Sequence, residues 1–134
     1  MNFIYRDFPI QNHPNAMPAA LASECADEQG MFWQYHDILF ERQDYWKKLE
    51  QDTVISTFKE FAIELNLNQI VFDSCLDSGK YSNEVSKDIS DGRSYQISGT
   101  PSFFIGNEDI GYSSIFGAKS FSDFQMIIDE KLSQ

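Results

Sequence analysis

Few residues in this chain have the types and spacing for redox or metal chemistry. Two cysteines, Cys25 and Cys75, lie fifty positions apart, and no Cys-x-x-Cys occurs. Thiol–disulfide exchange needs a thiolate and, for an efficient oxidant, a second thiol close by. A Cys-x-x-Cys at a helix N-terminus supplies both and lowers the nucleophile's pKa. Cys25 falls in the middle of a predicted helix, on an Ala-rich face, away from either dipole end. Cys75 falls near a predicted helix C-terminus, between Asp73 and Asp77, where negative charge raises a thiol's pKa. Neither reads as a nucleophile. The residues alone leave three fates open: one disulfide, two buried thiols, or metal ligands. His13 reads as a turn residue that caps or faces solvent, and His36 as a hydrogen-bonded, partly buried residue on an aromatic helix. A zinc site drawn from Cys25, Cys75, His13 and His36 would lack the close ligand pairs such sites use. No Ser-His-Asp set, phosphate-binding loop or Gly-rich nucleotide fingerprint is present. No catalytic residue, metal or cofactor is therefore expected.

With 134 residues, the chain is long enough for one domain with a real core, and its twelve phenylalanines argue against disorder. A formal net charge of −11 speaks against nucleic acid or an anionic membrane surface as partner. No apolar run approaches the length of a membrane span. The N-terminal Met1-Asn2-Phe3-Ile4-Tyr5-Arg6-Asp7 lacks the basic and long apolar regions of a signal peptide, so the compartment stays unassigned.

The elements that must position these residues follow from periodicity and caps. Phe3–Phe8 is rich in β-formers and ends at Pro9, which predicts a strand. Asn15 stands where a helix cap belongs, and Ala16–Gln29 reads as a helix stopped by Gly30. Ala19, Ala20, Ala22 and Ala26 along it predict close packing against another helix. Met31–Gln43 is a second helix with a broad apolar face, followed by a short helical turn at Tyr45-Trp46. Asp52 is expected to cap a third long helix, Asn68 a shorter one through Cys75 to Gly79, and Ser82 opens another to about Tyr95. The acidic residues Asp27, Glu28, Asp44, Glu50 and Asp52 read as solvated helix faces. Ser102–Gly106 and Ile110–Phe116 read as a hairpin, and Ser120 with Asp123 as a capping box opening a last helix.

Between the helices and the hairpin lies Ser98-Gly99-Thr100-Pro101-Ser102-Phe103-Phe104-Ile105. Pro101 removes a backbone donor where a buried strand should begin, which suits the strand's first residue or an edge. Most X-Pro bonds in folded proteins are trans, and physics alone asks for nothing else here. Gly99-Thr100-Pro101 before an aromatic strand nevertheless resembles the cis-proline loop of the thioredoxin fold. Further matches are Phe8-Pro9, His13-Pro14-Asn15-Ala16, Glu24-Cys25-Ala26, Gly30-Met31-Phe32-Trp33, Tyr35-His36-Asp37 and Cys75-Leu76-Asp77-Ser78-Gly79. Together they resemble, in order and spacing, a DsbA-type thiol–disulfide oxidoreductase from Phe3 to Leu132.

That resemblance implies an α/β fold: an incomplete thioredoxin-like domain with a mixed sheet of about three strands and an inserted helical subdomain. Residues 1–134 would form one domain, with 1–12 and 96–134 belonging to the thioredoxin core and 13–95 to the insertion. The first strand and the Cys-x-x-Cys helix would precede Phe3, where only Met1 and Asn2 stand. It further implies a structural disulfide Cys25–Cys75, because relatives carry cysteines at matching places. Gly99, Thr100 and Pro101 would offer backbone to an extended substrate. The family's partners are cysteine-containing proteins and a redox partner, and an extracytoplasmic location would follow from an upstream signal segment. This chain alone is expected to be inactive, and its open sheet edges predict a homodimer or strand-exchanged oligomer. The rival expectation is a non-catalytic peptide- or protein-binding module that uses the proline loop and open edge.

Overall fold

The computed structural model describes residues 1–134 throughout. The chain divides into two compact units, Met1–Asp91 and Gly92–Gln134.

In the first unit an extended segment leads into α1 (Ala16–Asp27), α2 (Phe32–Glu41), the single turn α3 (Gln43–Trp46), α4 (Gln51–Glu64), α5 (Gln69–Ser78) and most of α6 (Ser82–Ser94). The small residues Ala19, Ala22 and Ala26 recur at helical spacing on the buried side of α1. Without bulk there, α1 packs against α2, α4 and α5. The core that results is aromatic. Tyr35, Phe58 and Phe72 are wholly buried, and the Tyr35 and Phe72 rings lie 5.5 Å apart. Burying a phenol requires a partner for its hydroxyl, and Tyr35 donates to the Phe58 carbonyl at 2.8 Å. Trp46 does likewise, donating its ring N–H to the Leu39 carbonyl at 2.7 Å. At the end of α2, Arg42 grips Glu64 of α4 through two bonds of 2.7 Å and lies over the Phe61 ring. Both ends of that pair reach solvent, so its contribution is small.

Three local expectations are corrected here. Phe3–Phe8 forms no strand, because no ladder partner lies beside it. Asp52 lies inside the first turn of α4, whose cap position is Glu50. Asn15 occupies the cap position of α1 but makes no side-chain cap bond. Its buried amide instead donates to the carbonyls of Trp46 at 3.0 Å and Leu49 at 2.9 Å, bracing the turn after α3. Asn15→Ala would leave the Leu49 carbonyl without a donor, while that of Trp46 keeps the Leu49 N–H at 3.1 Å. Urea unfolding should show a loss of about 1–3 kcal/mol, the range for stranding a buried polar partner. Asn68 does cap α5, accepting from the Val71 N–H at 3.1 Å.

The second unit holds the end of α6, a hairpin of β1 (Ser102–Asn107) and β2 (Gly111–Phe116), and α7 (Phe121–Leu132). The strands pair antiparallel, with Phe103 opposite Ile115 and Phe104 opposite Ser114. Since alternate residues face opposite sides, Phe103 and Ile115 share the face that α7 covers, where the Phe103 and Phe124 rings meet edge-on at 4.8 Å. On the other face Phe104, Tyr112 and Phe116 are exposed. Gly106, at φ +146°, allows the closest approach in the turn: a Cβ there would fall 2.0 Å from the Gly111 carbonyl oxygen. Ser120 and Asp123 form the reciprocal capping box of α7. The fold class is thus the expected α/β one, but the sheet is a two-stranded antiparallel hairpin, not a mixed sheet of about three strands.

Candidate functional site

The loop between α6 and β1 is shaped by a few backbone bonds. The Ile97 N–H returns to the Gly92 carbonyl at 3.0 Å, and Gln96 takes the left-handed conformation at φ 61°. The Ser102 hydroxyl donates to the Gly99 carbonyl at 2.7 Å, and the Gly117 N–H donates to the Pro101 carbonyl at 2.8 Å. The Thr100–Pro101 peptide bond is cis. Thr100 and Pro101 are exposed, and the backbone groups of Thr100 take no part in the loop's hydrogen bonds. Next in the chain comes β1, which pairs on one edge only. Unpaired N–H and C=O groups thus continue from Thr100 along the outer edge of β1, a template for an added strand.

The two sulfurs lie in the other unit and do a different job. Cys25 of α1 and Cys75 of α5 form a disulfide, with Cα atoms 5.9 Å apart and no free cysteine left in the chain. The residues are 1% and 4% exposed, so a thiolate in solution has no direct approach to either sulfur. With both sulfurs bonded to each other, the zinc arrangement weighed above has no thiolate to use. His13 is exposed in a turn. His36 is half-buried among Tyr5, Phe32, Trp33 and Phe40, with Nδ1 at 3.0 Å from Asp37.

A set of acidic groups went unnoticed in the sequence. Asp7 is 4% exposed, and burial first, then its carboxyl neighbour Glu24, pushes its pKa up to about 8. Burial also raises Glu24, with Glu84, Asp27 and Asp88 adding repulsion. Arg6 is turned away from this pair. It bonds Asp88 at 2.6 Å and Asp91 at 2.7 Å, while the Asp7 N–H donates to the other Asp88 oxygen at 2.9 Å. The signal available beforehand was Asp7 itself, an acidic residue next to Arg6 in a Phe3–Phe8 run otherwise made of Phe, Ile and Tyr.

The family model described as thioredoxin matches residues 1–130. The chain belongs to the thioredoxin family. Curated relatives that match this thioredoxin-family chain are Na(+)/H(+) antiporters. The NhaA 3 antiporter of Salinispora tropica is 30% identical over 106 residues, which cover 78% of this chain and 15% of that protein. The NhaA antiporter of Herminiimonas arsenicoxydans is 34% identical over 105 residues, covering 78% and 16%. The NhaA 1 antiporter of Mycolicibacterium vanbaalenii is 31% identical over 106 residues, covering 77% and 16%. The match thus spans only 15–16% of the length of these relatives. No helix here is long and apolar enough to cross a membrane. No solved structure matches the chain significantly.

Proposed function

We propose that this chain is the substrate-holding part of a DsbA-like thiol–disulfide oxidoreductase. It binds extended segments of cysteine-containing proteins along Gly99, Thr100, Pro101 and the outer edge of β1. The observation that carries this reading is the unpaired backbone of exposed Thr100, followed after Pro101 by the unpaired outer edge of β1. Strand addition there would supply main-chain hydrogen bonds whatever the substrate's side chains. The treatment of residues 13–95 as a helical insertion into one domain belongs to the same proposal. Its support is a family match that runs through residues 1–130. Ion transport is not carried over from the antiporters, since so little of their length is matched.

Exchange chemistry needs an accessible thiol, and this chain's two cysteines are spent in a buried bond. That favours a second reading of the chain by itself, as a module that binds peptide without oxidising or isomerising it. A homodimer through the β1 edge is part of this proposal. The open edge and the exposed Phe104, Tyr112 and Phe116 support it, and the net charge of −11 opposes it.

One experiment addresses binding and chemistry together. An unfolded cysteine-containing peptide is titrated into the labelled chain, with backbone amide shifts followed by NMR and insulin reduction assayed in parallel. Saturable shifts should concentrate at Thr100 and along Ser102–Asn107, with no insulin reduction above the reductant background. Shifts confined to the helices would sink the binding site. Catalysis at the rate of an intact oxidoreductase would sink the inactivity of the chain.

A further inference from the structure

The acidic set around Asp7 stands apart from the peptide-binding proposal and has a consequence of its own. Within the first unit, residues 3–8 lie on three helices. Phe3 and Tyr5 stack on Trp33 and Phe32 of α2 at 5.5 and 5.2 Å. Arg6 and the Asp7 backbone bond α6. The Asp7 carboxyl meets Glu24 of α1. Asp7 Oδ2 is fully buried and receives no hydrogen bond from any donor. A stranded, buried carboxylate oxygen is costly. Two carboxylates side by side cannot satisfy each other, whereas a carboxylic acid and a carboxylate can, through one proton.

We propose that Asp7 and Glu24 share one proton, and that this proton is a pH-sensitive clasp holding residues 3–8 onto α1 and α6. The charged groups that act on the pair all oppose its removal. Glu84 and Asp88 of α6 and Asp27 of α1 are acidic, and Tyr5 and Tyr81 bring no positive charge. The one nearby guanidinium, Arg6, is engaged by Asp88 and Asp91. His36 faces the Tyr5 ring on the α2 side and is held by Asp37. Loss of the proton therefore adds a second negative charge that nothing neutralises. Asp7 can regain water only if the segment lifts, because its own N–H is tied to Asp88.

Asp7 ionises near 3.8 in an unfolded chain and near 8 in the folded one. Between those values the native state holds a proton that the unfolded state has released, so stability falls as pH rises. The contribution is complete below about pH 4 and is lost progressively up to about pH 8, tenfold in the folding constant per pH unit for one such group.

Carbon-13 NMR titration of the Asp7 carboxyl in the full chain, with hydrogen exchange of its amide on the same samples, tests this. A midpoint above about 6 is expected, well clear of the usual carboxylate range. Protection of the Asp7 amide, corrected for intrinsic exchange, should fall tenfold or more as the carboxyl titrates. Asp7→Asn and Glu24→Gln each replace one acid by an amide that donates without ionising. In Asp7→Asn that drop in protection should vanish, and in Glu24→Gln, where the amide donates to the Asp7 carboxylate, it should move to lower pH. A midpoint below about 6, a protected amide across the titration, or a variant that keeps the wild-type drop would each overturn the clasp.

Discussion

Replacing Cys25 and Cys75 together by alanine is expected to lower stability by roughly 4 kcal/mol. Their bond closes a loop of fifty residues. On the chain-entropy account, opening a loop of that length restores about this much freedom to the unfolded chain. The loop encloses the whole of α2, α3 and α4, so those helices gain most from the closure. Packing should add little, because alanine fits the small-residue face on which Cys25 sits. Urea unfolding followed by far-ultraviolet circular dichroism measures the difference, with reductant on the unmutated chain as a second route. A loss below about 1 kcal/mol would mean that α1 and α5 stay together in the unfolded ensemble without the bond.

Phe58→Ala should cost a comparable amount, about 3–5 kcal/mol, for a different reason. Phe58 has no exposed surface, and its ring meets those of Trp46 at 5.4 Å and Phe61 at 6.1 Å. Those neighbours are themselves braced. Trp46 is held through Leu39, and Tyr35 bonds the Phe58 carbonyl, so the walls around the missing ring cannot close in. A cavity that cannot collapse is the costly kind. Phe121→Ala is the control: that side chain is 81% exposed at the start of α7, and its loss should change stability by less than about 0.5 kcal/mol. Similar losses from the two would contradict the burial that distinguishes them.

What could be read in the sequence was whatever depends on near neighbours. Asn68 as the α5 cap and the Ser120–Asp123 box were visible because a cap and its target are three residues apart. The packing face of α1 was visible in its alanine spacing, and the hairpin in its turn residues. Phe3–Phe8 misled because β-propensity reports how side chains suit a pleated surface, not whether another strand stands alongside. Asn15 misled because its position is that of a cap while its bonds reach some thirty residues away. Asp7 and Glu24 are seventeen residues apart, on different elements, and nothing in the local pattern brings them together. The family resemblance supplied the partnership of Cys25 with Cys75, which spacing alone left open.

The disulfide also governs what happens if the backbone is cut. Lys47 and Lys48 are exposed between α3 and α4, inside the loop that the bond closes. A single cut after Lys48 would give two fragments, one carrying Cys25 and the other Cys75, still joined through sulfur. The nicked molecule would differ from the intact one only by the added water, and would travel as one species until a reductant separated the halves.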